Sequence, residues 1–452
     1  MLRLEWSAGT LLLRGGSPPF EVAAYFKYDP RVKCYRSLAI QYRWIVERLR
    51  ELGVEFADDV IHAPECRLRL VGNLYLRDYQ EEALNSWLRE RRGVVVLPTG
   101  AGKTLVAIAA IAEVGKSTLI VVPTLELMDQ WSRVVKRYLG VVPARYGGGR
   151  KEVGCITVAT YDSAYINAEQ LGDKFMLLVF DEVHHLPSPG YRQIAELMAA
   201  PWRLGLTATP EREDGLHLDL PYLVGPVVYR RFVKDLAGRW LAEFDVVRLY
   251  VNMSEEERRE YERLMSTYRG FLRRRGIRIR RQEDFEKLIA MSVRDPEARE
   301  ALLAWHKARR IALHASRKLE LLREILSRHR GDRVLIFAEH SDVVREISSR
   351  FLIPEITYKT GEEERRAVMR MFREGRVRAI VTSKVLEEGV DVPDANVAVV
   401  LSGTASRREF IQRLGRILRP KEGKRAVLYE VVTAGTREVA ASRKRRRGLA
   451  ST

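Results

Sequence analysis

The chain has 452 residues, of which 46% are apolar and 31% are charged, and this balance is typical of a globular protein with about three domains. No apolar run approaches the roughly 20 residues that a bilayer-spanning helix needs, which argues against a membrane protein. Lysine and arginine total 78 against 60 aspartates and glutamates, and the resulting charge of +18 favours a polyanionic partner such as nucleic acid.

The N-terminal sequence and the cysteines bear on the cellular compartment. Residues 1–10 alternate apolar and polar side chains as a strand would, and they lack the apolar centre of a signal peptide. Cys34, Cys66 and Cys155 are widely separated and form no C-x-x-C pair, so we expect isolated reduced thiols and no zinc site. The sequence therefore predicts a cytoplasmic protein, nucleoid-associated if the cell is prokaryotic, with no membrane partner.

Residues 1–70 predict a small α+β domain. Strand-like segments at 2–6 and 11–13 flank a short turn signal, and apolar side chains recur at helical spacing over 37–52. Segment 54–61 could return as a strand. No residue pattern in this region indicates a catalytic group.

Residues 97–104, LPTGAGKT, have the sequence of a phosphate-binding loop. An apolar run precedes them and an apolar segment with helical spacing follows, which gives the order of strand, loop and helix that such a loop requires. Glycines let backbone N–H groups approach phosphate oxygens, Lys103 supplies a charge for the terminal phosphates, and the Thr104 hydroxyl can hold Mg²⁺. Leu97 stands where the usual spacing has a glycine, and a plain strand-to-helix turn is the alternative. The predicted nucleotide-binding residues of the loop are Gly100, Ala101, Gly102, Lys103 and Thr104.

Gln80 stands about twenty residues upstream of the loop, near the start of a helix-like run. Its side-chain amide offers both a donor and an acceptor, which suits it to bind the edge of adenine. A surface helix residue would be the alternative for a glutamine considered alone. Because the loop follows, we predict that Gln80 belongs to the nucleotide site, together with the neighbouring Arg77.

After the loop, short β-rich runs alternate with helical segments, as in a parallel sheet with crossover helices. The runs are 118–122, 156–159, 175–180 and 203–206. Ligands on such sheets bind at the carboxyl ends of the strands. Asp181 and Glu182 directly follow the third run, so Asp181 could bind Mg²⁺ through water and Glu182 could polarise the attacking water. A loop with two solvated acids is the alternative.

The fourth run ends in Thr207-Ala208-Thr209, whose hydroxyls are candidates for coupling the nucleotide to whatever lies across the cleft. Arg212, Glu213 and Asp214 follow as a charged patch, for which a solvated loop is the alternative. Most of the candidate catalytic and binding residues of this half are therefore predicted to lie at the same edge of the sheet.

Residues 250–320 change to long, highly charged helical sequence with few β-rich runs. Arg273, Arg274 and Arg275 form its densest basic cluster, close to Tyr268 and Phe271. A basic segment with aromatic residues suits contact with a phosphate backbone. A solvated helix face would explain the same charges.

After residue 317 the alternating pattern returns without a second phosphate loop, which predicts a second sheet-and-helix domain. It carries Gly389-Val390-Asp391 and later Arg416 and Arg419, which are three apart and so share a helical face. Two such cations could point at a phosphate bound elsewhere, and an arginine supplied across an interface can accelerate phosphoryl transfer by roughly 10³- to 10⁵-fold. A solvated basic helix end is the alternative. The basic run 443–447 predicts a disordered tail.

Taken in order, these motifs resemble those of superfamily 2 helicases. They are Gln80, PTGAGKT at 98–104, PTLELMDQW at 123–131, DEVHH at 181–185, TAT at 207–209, SKVLEEGVD at 383–391 and QRLGRILR at 412–419. Within that superfamily the chain is most similar to the XPB family, especially its archaeal members. The similarity rests on DEVHH, on Arg212-Glu213-Asp214 directly behind TAT, and on a basic insertion where that family has its thumb. The first 70 residues stand where the family has its damage-recognition domain.

The resemblance implies an α/β protein with two RecA-like parallel-sheet domains, a helical thumb-like insertion and a small N-terminal α+β domain. The expected boundaries are 1–70 for the damage-recognition-like domain, 71–245 for the ATP-binding domain, 246–315 for the insertion and 316–452 for the second RecA-like domain with its basic C-terminal tail.

The resemblance also implies a DNA-dependent ATPase that uses ATP and Mg²⁺ and translocates or unwinds 3′ to 5′, in nucleotide excision repair or transcription initiation. The implied partners are single-stranded DNA, duplex or forked DNA, and a nuclease of the kind encoded beside archaeal members.

Residue roles follow from the same resemblance. The implied catalytic residues are Lys103, Asp181, Glu182, Arg416 and Arg419, the last two as arginine fingers. Gly389 and Asp391 match the motif that touches the ribose. The positions that match DNA-backbone contacts are Thr124, Thr160, Thr360 and Gly361. Arg212, Glu213 and Asp214 are the candidates for strand separation.

Two alternatives stay open at this point. One is an RNA helicase or a duplex translocase that never separates strands, although DEVHH rather than DEAD argues against the commonest RNA type. The other is a nucleotide-gated scaffold that recruits a nuclease while hydrolysis serves as a timer.

Overall fold

The computed structural model of the protein describes residues 1–212, 214–241, 243–280, 282–383, 395–401 and 425–450. These residues fall into two compact units, the first ending at Leu236 and the second beginning at Ala237. Within these ranges, no helix combines the length and the apolar character that crossing a membrane requires.

The N-terminal part of the first unit is a five-stranded sheet with one long helix. Its strands are Leu2–Ser7 (β1), Thr10–Arg14 (β2), Lys27–Asp29 (β3), Cys34–Leu38 (β4) and Phe56–Asp59 (β5), and its helices are Phe20–Ala23 (α1) and Tyr42–Glu51 (α2). The order is β3-β4-β2-β1-β5, with β5 parallel to β1 and the other pairs antiparallel. The predicted hairpin is confirmed. The helix begins at Tyr42 rather than at 37, because residues 34–38 pair with β2 as a strand.

An eight-stranded sheet forms the rest of the first unit. Its strands are Arg92–Val96 (β6), Thr118–Val122 (β7), Ala144–Gly147 (β8), Arg150–Lys151 (β9), Ile156–Thr160 (β10), Leu177–Asp181 (β11), Trp202–Thr207 (β12) and Val227–Arg230 (β13). The order is β13-β6-β12-β11-β7-β10-β8-β9, and every pair except β8 with β9 is parallel. The four runs predicted after the loop are confirmed as β7, β10, β11 and β12. Their sequences are continuous apolar runs because the central strands are buried on both faces.

The helices of this part differ in how they are buried. They are Asp78–Glu90 (α3), Lys103–Val114 (α4), Leu125–Leu139 (α5), Tyr161–Ile166 (α6), Ala168–Leu171 (α7), Arg192–Glu196 (α8), Leu220–Leu223 (α9) and Val233–Leu236 (α10). Helix α4 buries six consecutive residues, 106–111, and so lies within the core. Helix α5 buries only Met128, Trp131, Val135 and Leu139, which recur at helical spacing along one face.

A disulfide fixes the connection between the N-terminal sheet and α3. This connection, residues 60–77, has no regular secondary structure, and Cys66 in it is bonded to Cys155 just before β10. The His62 N–H also donates to the Asp173 carbonyl at 2.8 Å. The expectation of isolated reduced thiols is therefore wrong for this pair, because the fold joins cysteines 89 positions apart and spacing alone does not reveal it. Cys34 is a buried free thiol.

The second unit contains a six-stranded, fully parallel sheet. Its strands are Glu243–Val251 (β14), Val334–Phe337 (β15), Glu355–Ile356 (β16), Ala379–Thr382 (β17), Val397–Val400 (β18) and Arg425–Thr433 (β19), in the order β14-β19-β18-β15-β17-β16. The helices are Glu255–Arg274 (α11), Gln282–Ser292 (α12), Pro296–Leu313 (α13), Ser316–Arg328 (α14), Ser341–Phe351 (α15), Glu362–Arg373 (α16) and a C-terminal helix, Arg437–Ala450. The second sheet-and-helix domain is confirmed. Residues 443–447, predicted as a disordered tail, belong to the C-terminal helix instead.

Helices α11, α12 and α13 form the helical insertion and share one apolar core. The insertion follows β14, so it begins after residue 251 and not at 246 as expected, because residues 243–251 pair with β19 along their whole length. Tyr268 and Phe271, expected beside the basic cluster at the surface, are buried in the core of the insertion. These two aromatic rings are therefore unable to stack on nucleic acid bases.

Candidate nucleotide and nucleic-acid sites

The candidate nucleotide residues meet at one edge of the first sheet. Strands β6, β12 and β11 are adjacent and parallel, and their register places Val96 beside Thr207 and Leu206 beside Asp181. The phosphate loop leaves β6 at this edge, where the Leu97 N–H donates to the Thr207 carbonyl at 3.0 Å. The predicted gathering of these groups at the carboxyl ends of the strands is confirmed.

The loop between β6 and α4 has the backbone form of an anion cradle. Gly100 and Gly102 have φ values of 86° and 77°, in the left-handed region that glycine adopts readily. Helix α4 begins at Lys103, so its unpaired N–H groups and the positive end of its dipole adjoin the loop. The Lys103 ammonium donates to the Leu97 carbonyl at 3.2 Å, and the buried Thr99 hydroxyl has no hydrogen-bond partner within the described part of the chain. The loop therefore offers a cation and unsatisfied polar groups to an incoming phosphate.

Gln80 is buried against the loop, which excludes a surface helix position for it. Its Nε2 donates to the Ala101 carbonyl at 2.8 Å and its Oε1 accepts from the Arg77 N–H at 2.9 Å. The Tyr79 hydroxyl donates to the same Ala101 carbonyl at 2.8 Å. A Cβ at Gly102 would lie 2.4 Å from Gln80 Nε2, so any side chain there would displace the glutamine. Beyond these two hydrogen bonds, the Gln80 amide has a second N–H and a second lone pair.

Asp181 ends β11 with its carboxylate almost fully buried. Its Oδ2 accepts the indole N–H of Trp131 at 2.8 Å, and its Oδ1 accepts the Glu182 N–H at 3.1 Å. Burial raises the pKa of the Asp181 carboxyl, whereas the Trp131 hydrogen bond and the charge of Lys103 favour the ionised form. Sequence reasoning missed Trp131, for which the only signal was a tryptophan ending PTLELMDQW in a largely polar helix.

Glu182 has a strained backbone and a histidine beside it. Its φ of 48° and ψ of 54° are left-handed, which is uncommon outside glycine and often marks a functional residue. His184 is fully buried, and its Nδ1 lies 3.5 Å from Glu182 Oε2 and 3.1 Å from Thr207 Oγ1. The Thr209 N–H donates to that same Thr207 hydroxyl at 3.2 Å. One histidine thus connects the candidate water-polarising acid to the TAT segment.

The residues at this edge fit a nucleotide with Mg²⁺. Carboxylate and hydroxyl oxygens are the ligands that Mg²⁺ prefers, and Asp181 and Thr104 supply one of each. The structural support is the chemistry of this donor set: a buried strand-end carboxylate whose oxygens accept hydrogen bonds from Trp131 and from the Glu182 N–H.

Arg212 is held by protein partners. Its Nε and Nη2 donate to the Asp214 carboxylate at 2.9 and 2.6 Å, and its Nη1 donates to the His184 carbonyl at 2.6 Å and to Ser188 Oγ at 3.3 Å. The guanidinium hydrogen bonds are the main reason why the pKa of Asp214 falls to about 2. The arginine predicted to act in strand separation is thus neutralised by an acid and attached to the DEVHH segment. Glu213 lies outside the described residues.

The threonines that match DNA-backbone positions stabilise local structure. Thr124, Thr160 and Thr360 each accept a backbone N–H from a residue three positions away, at 3.3, 3.3 and 2.9 Å. Thr124 and Thr160 thereby cap the starts of α5 and α6, and Gly361 stands at the N-terminus of α16. The Thr160 hydroxyl is also buried and donates to Ser163 Oγ at 2.9 Å, so it is the least available of the three to a nucleic acid.

The insertion forms an arginine-lined groove of about 640 Å³ between one face of α11 and the turn after β19. Arg258, Arg269 and Arg273 line it, and their guanidinium groups form no hydrogen bond or ion pair with the residues described. Arg274 and Arg275 instead pair with acidic residues at the start of α13, at 3.9 and 3.1 Å. Of the three adjacent arginines predicted to contact DNA, only Arg273 lines the groove.

Four further predicted residues, Gly389, Asp391, Arg416 and Arg419, lie outside the described residues. Their assignment to the ribose and to the phosphates stays a prediction.

Three family models match the chain. The model of the XPB helicase damage recognition domain matches residues 4–60, the model of the type III restriction enzyme res subunit matches 73–212, and the model of the ERCC3/RAD25/XPB C-terminal helicase matches 304–451. The damage-recognition model covers the five-stranded sheet, and the other two cover most of the two larger sheets.

The chain is also similar to curated proteins and to a solved structure. It is 47% identical over 446 residues to the DNA 3′-5′ translocase XPB2 of Sulfurisphaera tokodaii, covering 99% of this chain and 100% of that protein. It is 35% identical to the DNA 3′-5′ helicase XPB of Mycobacterium tuberculosis, covering 83% of this chain and 64% of that protein. The TFIIH helicase/translocase subunit XPB of Danio rerio is 27% identical, with 92% and 51% covered.

The crystal structure of the Hef helicase domain of Pyrococcus furiosus matches with a TM-score of 0.55 at 19% identity, covering 82% of this chain and 98% of that one, and this likeness concerns the fold alone. The relative of near-equal length and the XPB models at both ends agree. The chain therefore belongs to the XPB family of DNA helicases and translocases.

Proposed function

We propose that the protein is an ATP-dependent 3′–5′ DNA helicase or translocase that opens DNA in nucleotide excision repair or transcription initiation. The observation that carries this proposal is the edge of the first sheet, where the phosphate loop, Asp181 and Glu182 lie at the ends of neighbouring strands. The names of the XPB relatives support the 3′–5′ direction and the DNA substrate.

In this proposal the first unit binds and activates ATP. The loop N–H groups and Lys103 hold the phosphates, and Gln80 binds the adenine edge. Thr104 and Asp181 hold Mg²⁺, which when bound neutralises charge on the phosphate oxygens. Glu182 orients the attacking water and accepts its proton, while His184 restricts the position of the Glu182 carboxylate.

The predicted fingers Arg416 and Arg419, with Gly389 and Asp391 toward the ribose, complete the proposed catalytic set. Arginines can stabilise the charge that develops on the transferred phosphoryl group. Alanine at either finger should therefore lower turnover more than nucleotide affinity.

DNA is proposed to contact the groove of the insertion through Arg258, Arg269 and Arg273. Contact with the phosphate backbone makes binding salt-sensitive and nearly independent of sequence. The Arg212, Glu213 and Asp214 patch is the proposed strand-separation element, and its attachment to the DEVHH segment offers a route from hydrolysis to that element. A nuclease of the archaeal XPB type is the proposed protein partner.

The experiment that tests this function measures ATPase activity with no nucleic acid, single-stranded DNA, duplex DNA, forked DNA and RNA, for the wild type and Lys103→Ala. We expect DNA to stimulate turnover and Lys103→Ala to abolish it without lowering the melting temperature. Displacement of a labelled strand from the fork would establish unwinding as the output. Stimulation by RNA alone, or activity that survives Lys103→Ala, would contradict the proposal.

A further inference from the structure

Trp131 is placed directly on the carboxylate that we assign to Mg²⁺. Its side chain lies on the buried face of α5, and its indole Nε1 donates to Asp181 Oδ2 at 2.8 Å. An indole N–H is a donor only and carries no charge. It can therefore fix one oxygen of the carboxylate without neutralising it, unlike a lysine or an arginine.

A second buried tryptophan of the same unit shows that packing does not require this partner. Trp87 in α3 is also fully buried, and its Nε1 donates to the backbone carbonyl of Arg203 at 2.9 Å. A carbonyl thus satisfies a buried indole equally well. The use of a functional carboxylate at position 131 points to a role beyond packing, and Trp87 provides a matched control.

Helix α5 connects this hydrogen bond to a second candidate site. Thr124 caps the helix start and matches a DNA-backbone position, and Trp131 follows two turns later, about 10 Å along the axis. A continuous helix moves largely as a rigid body over such a length. Displacement of its N-terminus by DNA would therefore shift the indole relative to Asp181.

We propose that Trp131 is a positioning residue, whose indole N–H holds the Asp181 carboxylate in the orientation that binds the Mg²⁺–nucleotide complex and passes movements of α5 to it. The inference rests on the proposed function, because it takes Asp181 as the group that serves Mg²⁺. It adds a residue and a physical route that the sequence motifs do not assign.

The test removes only the N–H. Trp131 is replaced in the full chain by 3-benzothienylalanine, which has the shape of tryptophan with sulfur in place of N–H, and separately by Phe. The same replacements at Trp87 are the controls. Binding of a fluorescent ADP analogue is titrated with and without Mg²⁺, in the absence of DNA.

We expect both replacements at 131 to reduce the Mg²⁺-dependent gain in ADP affinity by about 10-fold or more, as is typical when a hydrogen-bond partner of a metal-binding group is removed. ADP affinity without Mg²⁺ should stay at the wild-type value, because the phosphate loop is intact. The replacements at 87 should keep the full Mg²⁺-dependent gain. In ATPase assays, the replacements at 131 should also weaken the stimulation by DNA.

A benzothienylalanine variant at 131 that keeps the wild-type Mg²⁺ dependence would overturn the positioning role. If Trp131→Phe fails to fold, the benzothienylalanine variant decides the question by itself, because it preserves the packing. The ADP titration contains no DNA, so failure of the wild-type enzyme to respond to DNA would reject the proposed function and leave the titration interpretable.

Discussion

Buried carboxylates are used in opposite ways in the two larger sheets. Asp181 in the first sheet accepts hydrogen bonds from a neutral indole and a backbone N–H, and it forms no ion pair with lysine or arginine among the residues described. Glu430 in the second sheet pairs with Arg248 at 2.8 Å, and the largely buried Glu438 of the C-terminal helix pairs with Lys318, also at 2.8 Å. Within the described part of the chain, only the first arrangement leaves the carboxylate without a lysine or arginine partner and so able to accept a cationic ligand.

This difference provides a way to recognise a ligand site when two domains of one chain contain similar parallel sheets. A buried charge costs free energy, and a protein that only needs stability neutralises it with a partner. A strand-end carboxylate with neutral partners keeps that cost in the absence of ligand, and a bound cation would relieve it. The second sheet, by this criterion, uses its buried acids to hold the chain together.

The largest expected effect comes from Glu182→Gln in the first unit. Removing the proton acceptor should lower the ATPase kcat by about 10²- to 10⁴-fold, while ADP affinity and melting temperature stay unchanged. Steady-state ATPase assays and ADP titration measure the two quantities. A variant that hydrolyses ATP at the wild-type rate would show that the acids at this edge are structural like those of the second sheet.

The converse substitution is Lys318→Met in the second unit. It leaves the largely buried Glu438 carboxylate without its cation, which should cost up to about 3–5 kcal/mol in the free energy of unfolding. Urea unfolding followed by circular dichroism measures the loss. The double variant Lys318→Met with Glu438→Gln should recover most of it, because the uncompensated charge is gone. If Lys318→Met alone is as stable as the wild type, Glu438 does not need its cationic partner, and the contrast with Asp181 is lost.

The same distinction between paired and unpaired charge can be tested among the arginines of the insertion. Alanine at Arg258, Arg269 and Arg273 should weaken binding to single-stranded DNA and reduce the slope of log affinity against log salt by about 2. Alanine at Arg274 and Arg275 is the matched control, since these two side chains lie outside the groove and already have acidic partners at 3.9 and 3.1 Å. Fluorescence anisotropy across a salt series measures both. Equal losses in the two sets would show that the groove is not the contact surface.

The smallest expected effect concerns the Arg212–Asp214 pair. The pKa of Asp214 is about 2, below the ordinary 3.8, so the unfolded chain binds this proton more readily than the folded one. The contribution to stability is complete above about pH 4 and is lost as the pH falls toward 2. Because 45% of the Asp214 side chain is exposed, Asp214→Asn should cost less than about 1 kcal/mol.

Thermal unfolding of the wild type and Asp214→Asn between pH 6 and pH 3 checks this dependence of stability on pH. The difference in melting temperature should shrink as the pH falls below 4. A difference that grows with acidity would contradict the pairing.

Strand positions and the placement of the candidate catalytic groups could be predicted because they depend on local patterns. A continuous apolar run predicted β7 to the residue, and the motif order placed the phosphate loop and Asp181 at one sheet edge. The start of the insertion was misplaced, because the apolar and polar residues of β14 gave no sign of its pairing with β19.

Side-chain partners could not be predicted, since they are set by contacts between segments distant in the chain. Nothing in the sequence distinguishes Arg273, which lines the groove, from Arg274, which faces an acid of α13. The Trp131–Asp181 bond likewise joins residues 50 positions apart. A sequence motif is enough to predict which candidate residues lie at the end of a strand. The side chains that orient those residues are known only from the folded structure.

The Cys66–Cys155 bond gives the first unit a covalent topology that its sheet order does not show. The bond and the backbone between the two cysteines form a closed ring, which contains α3, the phosphate loop, α4 and α5. A single protease cut inside this ring leaves every piece of the chain covalently joined. The part of the first unit inside this ring therefore separates into fragments only after two bonds are broken, either two peptide bonds or one peptide bond and the disulfide.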